Sequence, residues 1–342
     1  MPISAGSTAT RITSPARSDH AVAIHADDLV KTYASGRRTP PVSALDGLSL
    51  QVAQGEVFGL LGPNGAGKST TVKILATLTR PDSGRALVGG HDIATEADAV
   101  RRSIGLVSQK SSSAPMMTGR ESIELAGRVQ GLSAKAARAR ATELLDRFGL
   151  ADAGGRLTKT YSGGMLRKLD VAVGLVARPS VLFLDEPTTG LDPEARDQMW
   201  EEIARLASVE QLTVLLTTHY LEEADHLANR LAIVDHGHVV VQGSPDELKS
   251  ELRGDSVVVE VVDGDLGVRA AQRISRIDGL SGITHEGRIV RARAQSAATT
   301  IPVVLAALEE DGVVVTSATI SRPSLDDVYR HHTGHTFEGA ER

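Results

Sequence analysis

The chain has 342 residues, 41% hydrophobic and 23% charged, enough for two domains or one large one of ordinary globular composition. Its 37 basic and 43 acidic residues give a formal net charge of −6 with no basic block, so the electrostatic footprint of a nucleic-acid binder is missing. The lack of cysteine excludes disulfides and thiolate metal sites and suits a reducing cytosol, while no apolar run approaches the ~18 residues that cross a bilayer.

Met1 to His20 is rich in Ser, Thr and Ala and has no apolar centre, which predicts a disordered lead-in rather than a signal peptide. Residues 21–245 alternate short Val/Leu/Ile runs with helix-period stretches, the pattern of an α/β domain with a largely parallel sheet. Val57–Leu61, Val181–Leu184 and Thr213–Thr217 are continuous apolar runs, suited to strands covered on both faces. Between about residues 111 and 160, Glu121–Gln130 and Ala134–Phe148 carry helical periodicity, which predicts an inserted helical subdomain. Its apolar stripe of Leu144, Leu145 and Phe148 reads as internal packing.

After Ser244-Pro245 the pattern changes. Strands are expected over Ser256–Val262, Gly282–Thr284, Arg288–Ala292 and Val313–Ile320, with helices over Gly267–Ile277 and Ala297–Leu308. The order β-α-β-β-α-β makes residues 246–335 a small α+β, ferredoxin-like accessory domain, followed by a tail over 336–342. His331, His332 and His335 sit at a Gly-broken end with no acidic partner in sequence, so no metal site is expected there.

Two segments carry chemistry. Gly62-Pro63-Asn64-Gly65-Ala66-Gly67-Lys68-Ser69-Thr70 fits G-x-x-x-x-G-K-[ST] and follows an apolar strand. Its glycines let successive backbone N–H groups turn toward phosphate oxygens, and the helix that follows offers its positive end. Lys68 is then placed for the β and γ phosphates, and the Ser69 hydroxyl for magnesium. The second segment, Val181-Leu182-Phe183-Leu184-Asp185-Glu186, ends an apolar strand in two carboxylates. Asp185 is placed to hold the magnesium shell, and Glu186, expected on the other side of an extended chain, to activate a water.

With these motifs the chain resembles the nucleotide-binding domains of ABC transporters, a P-loop NTPase fold, over roughly Ala21 to Gly243. Tyr161-Ser162-Gly163-Gly164-Met165 resembles the family signature, with Ser162 as N-cap of a helix expected over Leu166–Ala177. The resemblance implies a head-to-tail homodimer in which the Ser162, Gly163 and Gly164 turn of one protomer closes over ATP in the other. It further implies that Gln109 senses the magnesium, His219 contacts the γ-phosphate, Asp192 in Gly190-Leu191-Asp192 links the two sites, and Tyr33, in a loop, stacks on adenine. ATP and Mg2+ are the cofactors so implied, with Ser69, Gln109 and Asp185 around the metal.

Tyr161 and Met165 depart from the usual signature in the manner of the drug-resistance export branch. Leu166 stands where that branch is expected to carry a basic residue. Pro323-Ser324-Leu325-Asp326-Asp327-Val328-Tyr329, running into Thr333-Gly334, resembles the ending of daunorubicin-resistance ATPases. The implied function is ATP hydrolysis that drives drug export through a separate ABC-2-type permease at the cytoplasmic face of the membrane, without direct membrane insertion. An importer ATPase, a ribosome- or chromosome-associated ATPase and a non-catalytic scaffold remain as alternatives. The single cassette and the short interval from Lys68 to Asp185 weigh against the ribosomal and chromosomal readings.

Overall fold

The computed structural model describes residues 21–34, 40–111, 113–252, 254–294, 297–321 and 323–337. The expected disordered lead-in and the end of the expected tail lie outside them.

Val22–Tyr33 (β1) and Val42–Ala53 (β2) pair antiparallel, and Val57–Leu61 (β3) is buried at every residue. Lys68–Leu75 (α1) follows the phosphate loop, then Ser83–Val88 (β4), His91–Asp92 (β5), Ala97–Ser103 (α2) and Ile104–Val107 (β6). Three helices come next, Gly119–Val129 (α3), Ala134–Arg147 (α4) and Gly163–Gly174 (α5). The chain then alternates Val181–Asp185 (β7), Pro193–Glu210 (α6), Thr213–Thr218 (β8), Leu221–Leu227 (α7) and Arg230–Asp235 (β9). His238–Gly243 (β10) and Pro245–Glu251 (α8) close this part.

A six-stranded sheet in the order β10-β9-β3-β8-β7-β6 forms the centre. Its strands from β9 to β6 are parallel, and β10 adds an antiparallel edge. β3, β7 and β8 show no exposed residue, as strands covered on both faces require. A second, antiparallel sheet runs β2-β1-β4-β5. Its strands mix polar and apolar residues because one face meets solvent, which is why no buried run announces them.

The helices between β6 and β7 are well capped. Thr118 and Glu121 form a reciprocal capping box on α3, and Ser133 accepts from the Ala136 N–H on α4. Each such cap contributes about 1 kcal/mol. Ile123, Ala141, Leu144 and Leu145 are fully buried in a cluster shared with α5 and β7. Helix α5 starts at Gly163, three residues before the expected Leu166, because the Ser162 hydroxyl accepts from the Met165 N–H. The two signature glycines are therefore its first turn.

The C-terminal elements are Asp255–Val261 (β11), Gly264–Ile274 (α9), Leu280–Glu286 (β12), Ile289–Ala294 (β13), Ala297–Glu310 (α10), Val315–Ser321 (β14) and Leu325–Thr333 (α11). The antiparallel sheet order β12-β13-β11-β14 is the ferredoxin-like arrangement. Helix α11 then leaves this sheet. Leu325, Val328 and Tyr329 join Leu248 and Leu252 around α8 and Ala224, Leu231 and Ile233 of the central domain in one core cluster. Arg293 of β13 reaches Asp327 of α11 at 3.7 Å, so α11 contacts both parts of the chain.

Tyr329 has no exposed surface, and Phe337 packs edge-on against its ring at 4.8 Å. Tyr329→Ala is expected to lower unfolding free energy by about 3–5 kcal/mol, as for other large aromatic truncations. Urea unfolding followed by circular dichroism measures it; a loss inside the error of extrapolation would place α11 outside the cooperative core.

Candidate functional site

The candidate residues come from the carboxyl ends of neighbouring parallel strands. β3 runs into the Gly62–Thr70 loop, β6 into Gln109, β7 into Asp185 and Glu186, and β8 into His219. Ligand crevices of open α/β sheets form at this edge.

The loop is built by close backbone packing. Gly67 has φ +109°, and a Cβ there would lie 2.5 Å from the Ala44 carbonyl oxygen. At Gly62 a Cβ would collide with the Val234 carbonyl. The Gly237 N–H donates to the Ala66 carbonyl at 3.0 Å, so the β9–β10 turn supports the loop from outside. Lys68 is 4% exposed, and its Nζ donates to the Gly62 and Pro63 carbonyls at 2.7 and 2.9 Å. Burial pulls its pKa below the ordinary lysine value, while the charges of Glu186 and Asp185 oppose that shift. The ammonium is thus curled inside the loop with both carboxylates nearby.

A chain of hydrogen bonds joins these strand ends. Ser69 Oγ donates to Asp185 Oδ1 at 2.9 Å, and Thr217 Oγ1 donates to the same oxygen at 2.6 Å. The Glu186 N–H donates to Thr217 Oγ1 at 3.0 Å. Gln109 Nε2 donates to Glu186 Oε2 at 2.8 Å, and Thr189 Oγ1 does so at 3.3 Å. His219 Nδ1 stands 3.2 Å from Glu186 Oε1 without hydrogen-bond alignment, its ring 4.2 Å from that of Tyr220. Lys68, Ser69, Gln109, Asp185, Glu186 and His219 are therefore brought together. The Ser69 hydroxyl and Asp185 carboxylate present hard oxygens side by side, a donor set that fits magnesium.

The expectation that Glu186 continues an extended chain is not met. β7 ends at Asp185, and Glu186 has φ +49°, a left-handed conformation that costs a non-glycine residue about 1–3 kcal/mol. Its N–H is held by Thr217, and its carbonyl accepts from Arg167. Tyr33, expected in a loop, is the last residue of β1, 39% exposed, with Lys31 Nζ 5.6 Å from its ring.

Other members of the set lie apart from this network. Ser162 and Gly163 are exposed, and nothing lies within 4 Å of where a Gly163 Cβ would be. Ser162 and Gly163 are thus uncovered by the chain's own described residues, while a Cβ on half-buried Gly164 would meet Ala195 Cβ at 3.0 Å. Asp192 caps α6 by accepting from the Ala195 N–H at 2.9 Å. The C-terminal histidines do have acidic neighbours. His335 Nε2 lies 3.3 Å from Asp235 and His332 Nε2 3.8 Å from Glu251. Asp235, His236 and His335 converge within 4.8 Å, contrary to the reading of a tail without acidic partners. The trio, a half-buried Asp235 with two exposed histidines, ties the tail to the end of β9.

Sequence reasoning passed over two buried charges. Arg167 is 7% exposed and spends its guanidinium on four backbone carbonyls of the site. Burial lowers its pKa, and Asp170, Glu223, Asp185 and Glu186 counter that. Glu223 is 1% exposed and accepts from Thr188 Oγ1 at 2.7 Å and Trp200 Nε1 at 3.3 Å. The available signal was Arg167 and Asp170 at i, i+3 among the apolar residues of α5; in Glu222-Glu223 only burial separates the two acids.

Comparison with known proteins places these features. The ABC transporter family matches residues 45–189, and the C-terminal domain of DrrA1-3-like ATP-binding proteins matches residues 243–333. The chain is 46% identical over 312 residues to the daunorubicin resistance ATP-binding protein DrrA3 of Streptomyces coeruleorubidus, covering 90% of this chain and 97% of that one. It is 32% identical to the linearmycin resistance ATP-binding protein LnrL of Bacillus subtilis (strain 168), covering 92% and 99%. A solved dimeric ATP-binding cassette in a post-hydrolysis state with ADP and Pi superposes with a TM-score of 0.59 at 26% identity, covering 65% of this chain and 98% of that one.

Lys68→Ala is expected to weaken binding of a fluorescent ATP analogue by at least about tenfold, the worth of one charge-assisted phosphate contact. Unchanged affinity in a titration counts against the loop as the phosphate site. Glu223 adds a pH signature, because burial pushes its carboxyl above the usual 4.5. A group that holds its proton more tightly when folded loses stability as pH rises from its unfolded pKa through the raised folded one. Glu223→Gln removes that term, so its stability relative to the parent should improve as pH rises above the ordinary carboxylate pKa. Urea midpoints that fall in parallel for both proteins over this range would contradict the assignment.

Proposed function

Because this chain belongs to the ATP-binding subunits of ABC transporters, of the daunorubicin-resistance type, it binds and hydrolyses ATP, and we propose that this drives efflux of a drug-like compound through a separate ABC-2-type permease. The carrying observation is that Lys68, Ser69, Asp185, Glu186, Gln109 and His219 meet at one sheet edge, linked through Asp185 and Glu186.

ATP lies with its phosphates against the backbone N–H groups of the 64–70 stretch and with Lys68 on the β and γ phosphates. Tyr33 stacks on the adenine. Ser69, Asp185 and Gln109 would hold a magnesium ion, whose charge offsets that of the β and γ oxygens. Glu186 takes the proton of a water as its oxygen attacks the γ-phosphorus; the bond to the bridging oxygen breaks, leaving ADP and phosphate. His219 steadies the γ-phosphate, so catalysis is positioning and charge stabilisation.

The exposed Ser162–Gly163 start of α5 supports a head-to-tail homodimer in which the Ser162–Gly164 turn covers the partner's nucleotide, with Asp192 at the junction of the two sites. Cleavage removes one charged group from this double grip and lets the protomers part. Residues 21–245 form the motor and 246–335 the accessory domain. Among the described residues no helix is long and apolar enough to cross a membrane. In this reading the permease holds the protein at the cytoplasmic face.

Glu186→Gln is expected to retain ATP binding while turnover falls by roughly 10²–10⁴-fold. Steady-state phosphate release beside analogue titration checks this, and near-parental turnover removes Glu186 from the base role. Co-expression of the chain with an ABC-2-type permease should lower cellular anthracycline accumulation, and the Glu186→Gln variant should abolish that effect. Accumulation unchanged by the parent pair overturns drug efflux without touching the ATPase assignment.

A further inference from the structure

Arg167 is joined to three parts of the site at once. Its Nη2 donates to the carbonyls of Asp185 and Glu186 at 3.0 and 3.1 Å, and its Nε to that of Pro187 at 2.7 Å. Its Nη1 donates to Ser108, the residue before Gln109, at 2.6 Å. One turn along the same helix, Asp170 Oδ1 accepts from Ser111 Oγ at 2.8 Å and Ser113 Oγ at 3.4 Å, in the segment that follows Gln109. A single helix face therefore grips the turn that carries Glu186 and both flanks of Gln109.

The turn needs that grip. Glu186 occupies a left-handed conformation that an L-residue keeps only where its surroundings over-determine it. The backbone is clamped on both sides, by Thr217 at the Glu186 N–H and by Arg167 at the carbonyls of three successive residues. Only a planar guanidinium, with donors fixed in a fork, can serve carbonyls diverging in this way; lysine offers a point charge on a flexible stem.

We propose that Arg167 is a positioning residue that holds Glu186 and Gln109 in register with each other and with the signature helix. It acts through Glu186, so it rests on the reading of Glu186 as general base. Helix α5 begins at the Ser162–Gly164 turn and is rigid over the roughly 7.5 Å that separate Ser162 from Arg167 along its axis. Engagement of that turn by a partner's nucleotide thus displaces the same guanidinium that sets this chain's own Glu186. One protomer's bound ATP is reported to the other's attacking water by this route.

The test is a double-mutant cycle on the full-length chain with Arg167→Met, Glu186→Gln and the pair. Arg167→Met should lower kcat by about 10²-fold, the cost of a misplacement near 1 Å, with the affinity for a fluorescent ATP analogue unchanged. The pair should be no slower than Glu186→Gln alone, because both changes disable one step. If Arg167→Met fails to fold by circular dichroism, Arg167→Lys carries the cycle, and only partial recovery of kcat is expected from it. Multiplicative losses in the pair, or a fall in nucleotide affinity that accounts for the whole defect, overturn the role of Arg167. Parental turnover in Glu186→Gln alone overturns the general-base reading, and Arg167's role with it.

Discussion

The Asp185 carboxylate sits at the end of a fully buried strand and accepts from two hydroxyls on different elements. Ser69 comes from the first turn of α1 and Thr217 from the neighbouring strand β8. Because β3, β8 and β7 are consecutive in the sheet and parallel, their ends arrive at the same level, and one oxygen can tie the first turn of α1 to β8 and β7. Thr217 passes the tie onward to the Glu186 N–H. In the proposed mechanism, where the γ-phosphate sits relative to an attacking water depends on this short chain of contacts.

Around that tie the protein buries charge that a plain core would avoid. Lys68, Arg167 and Glu223 are each less than 8% exposed, and a buried ion is costly unless its hydrogen bonds are made. Lys68 and Arg167 are partnered by backbone carbonyls and Glu223 Oε1 by Thr188 and Trp200, while Glu223 Oε2 is buried without a hydrogen bond and burial pushes that carboxyl's pKa up. The two Glu223 donors bracket the start of α6, and Arg167 grips the residues just before them. The segment Asp185-Glu186-Pro187-Thr188 is consequently held from both sides. A rigid loop of this kind suits chemistry that depends on orientation more than on covalent steps.

The C-terminal part is bound to the motor by more than a linker. Helix α11 has no core of its own; its buried face, Leu325, Val328 and Tyr329, is completed by residues of α7, α8 and β9. Arg330, with Asp326 at 3.2 Å and Glu286 at 3.4 Å, fastens its other flank to β12. The last helix is thus docked on the central domain beside α7, which follows His219 in the chain, as well as on the C-terminal sheet.

Much of this was legible in order along the chain. The Gly62–Thr70 loop, the apolar strands β3, β7 and β8, and the carboxylate pair at Asp185-Glu186 are local patterns whose physics needs only near neighbours, so the α/β class and the candidate residues that the fold brings together could be read directly. The ferredoxin-like element order was legible for the same reason, since turn signals and periodicity are short-range. The antiparallel sheet of β1, β2, β4 and β5 was not, because strands with one wet face lack a continuous apolar run. Nor were the left-handed turn at Glu186, the fork of Arg167 on three successive carbonyls and the burial of Glu223 beside an exposed Glu222. Those depend on which backbone groups arrive from 18 to 59 positions away. Residue type sets what chemistry a position can perform, but only the packed fold decides which donors lose water, and so which of several similar charges must find a partner inside.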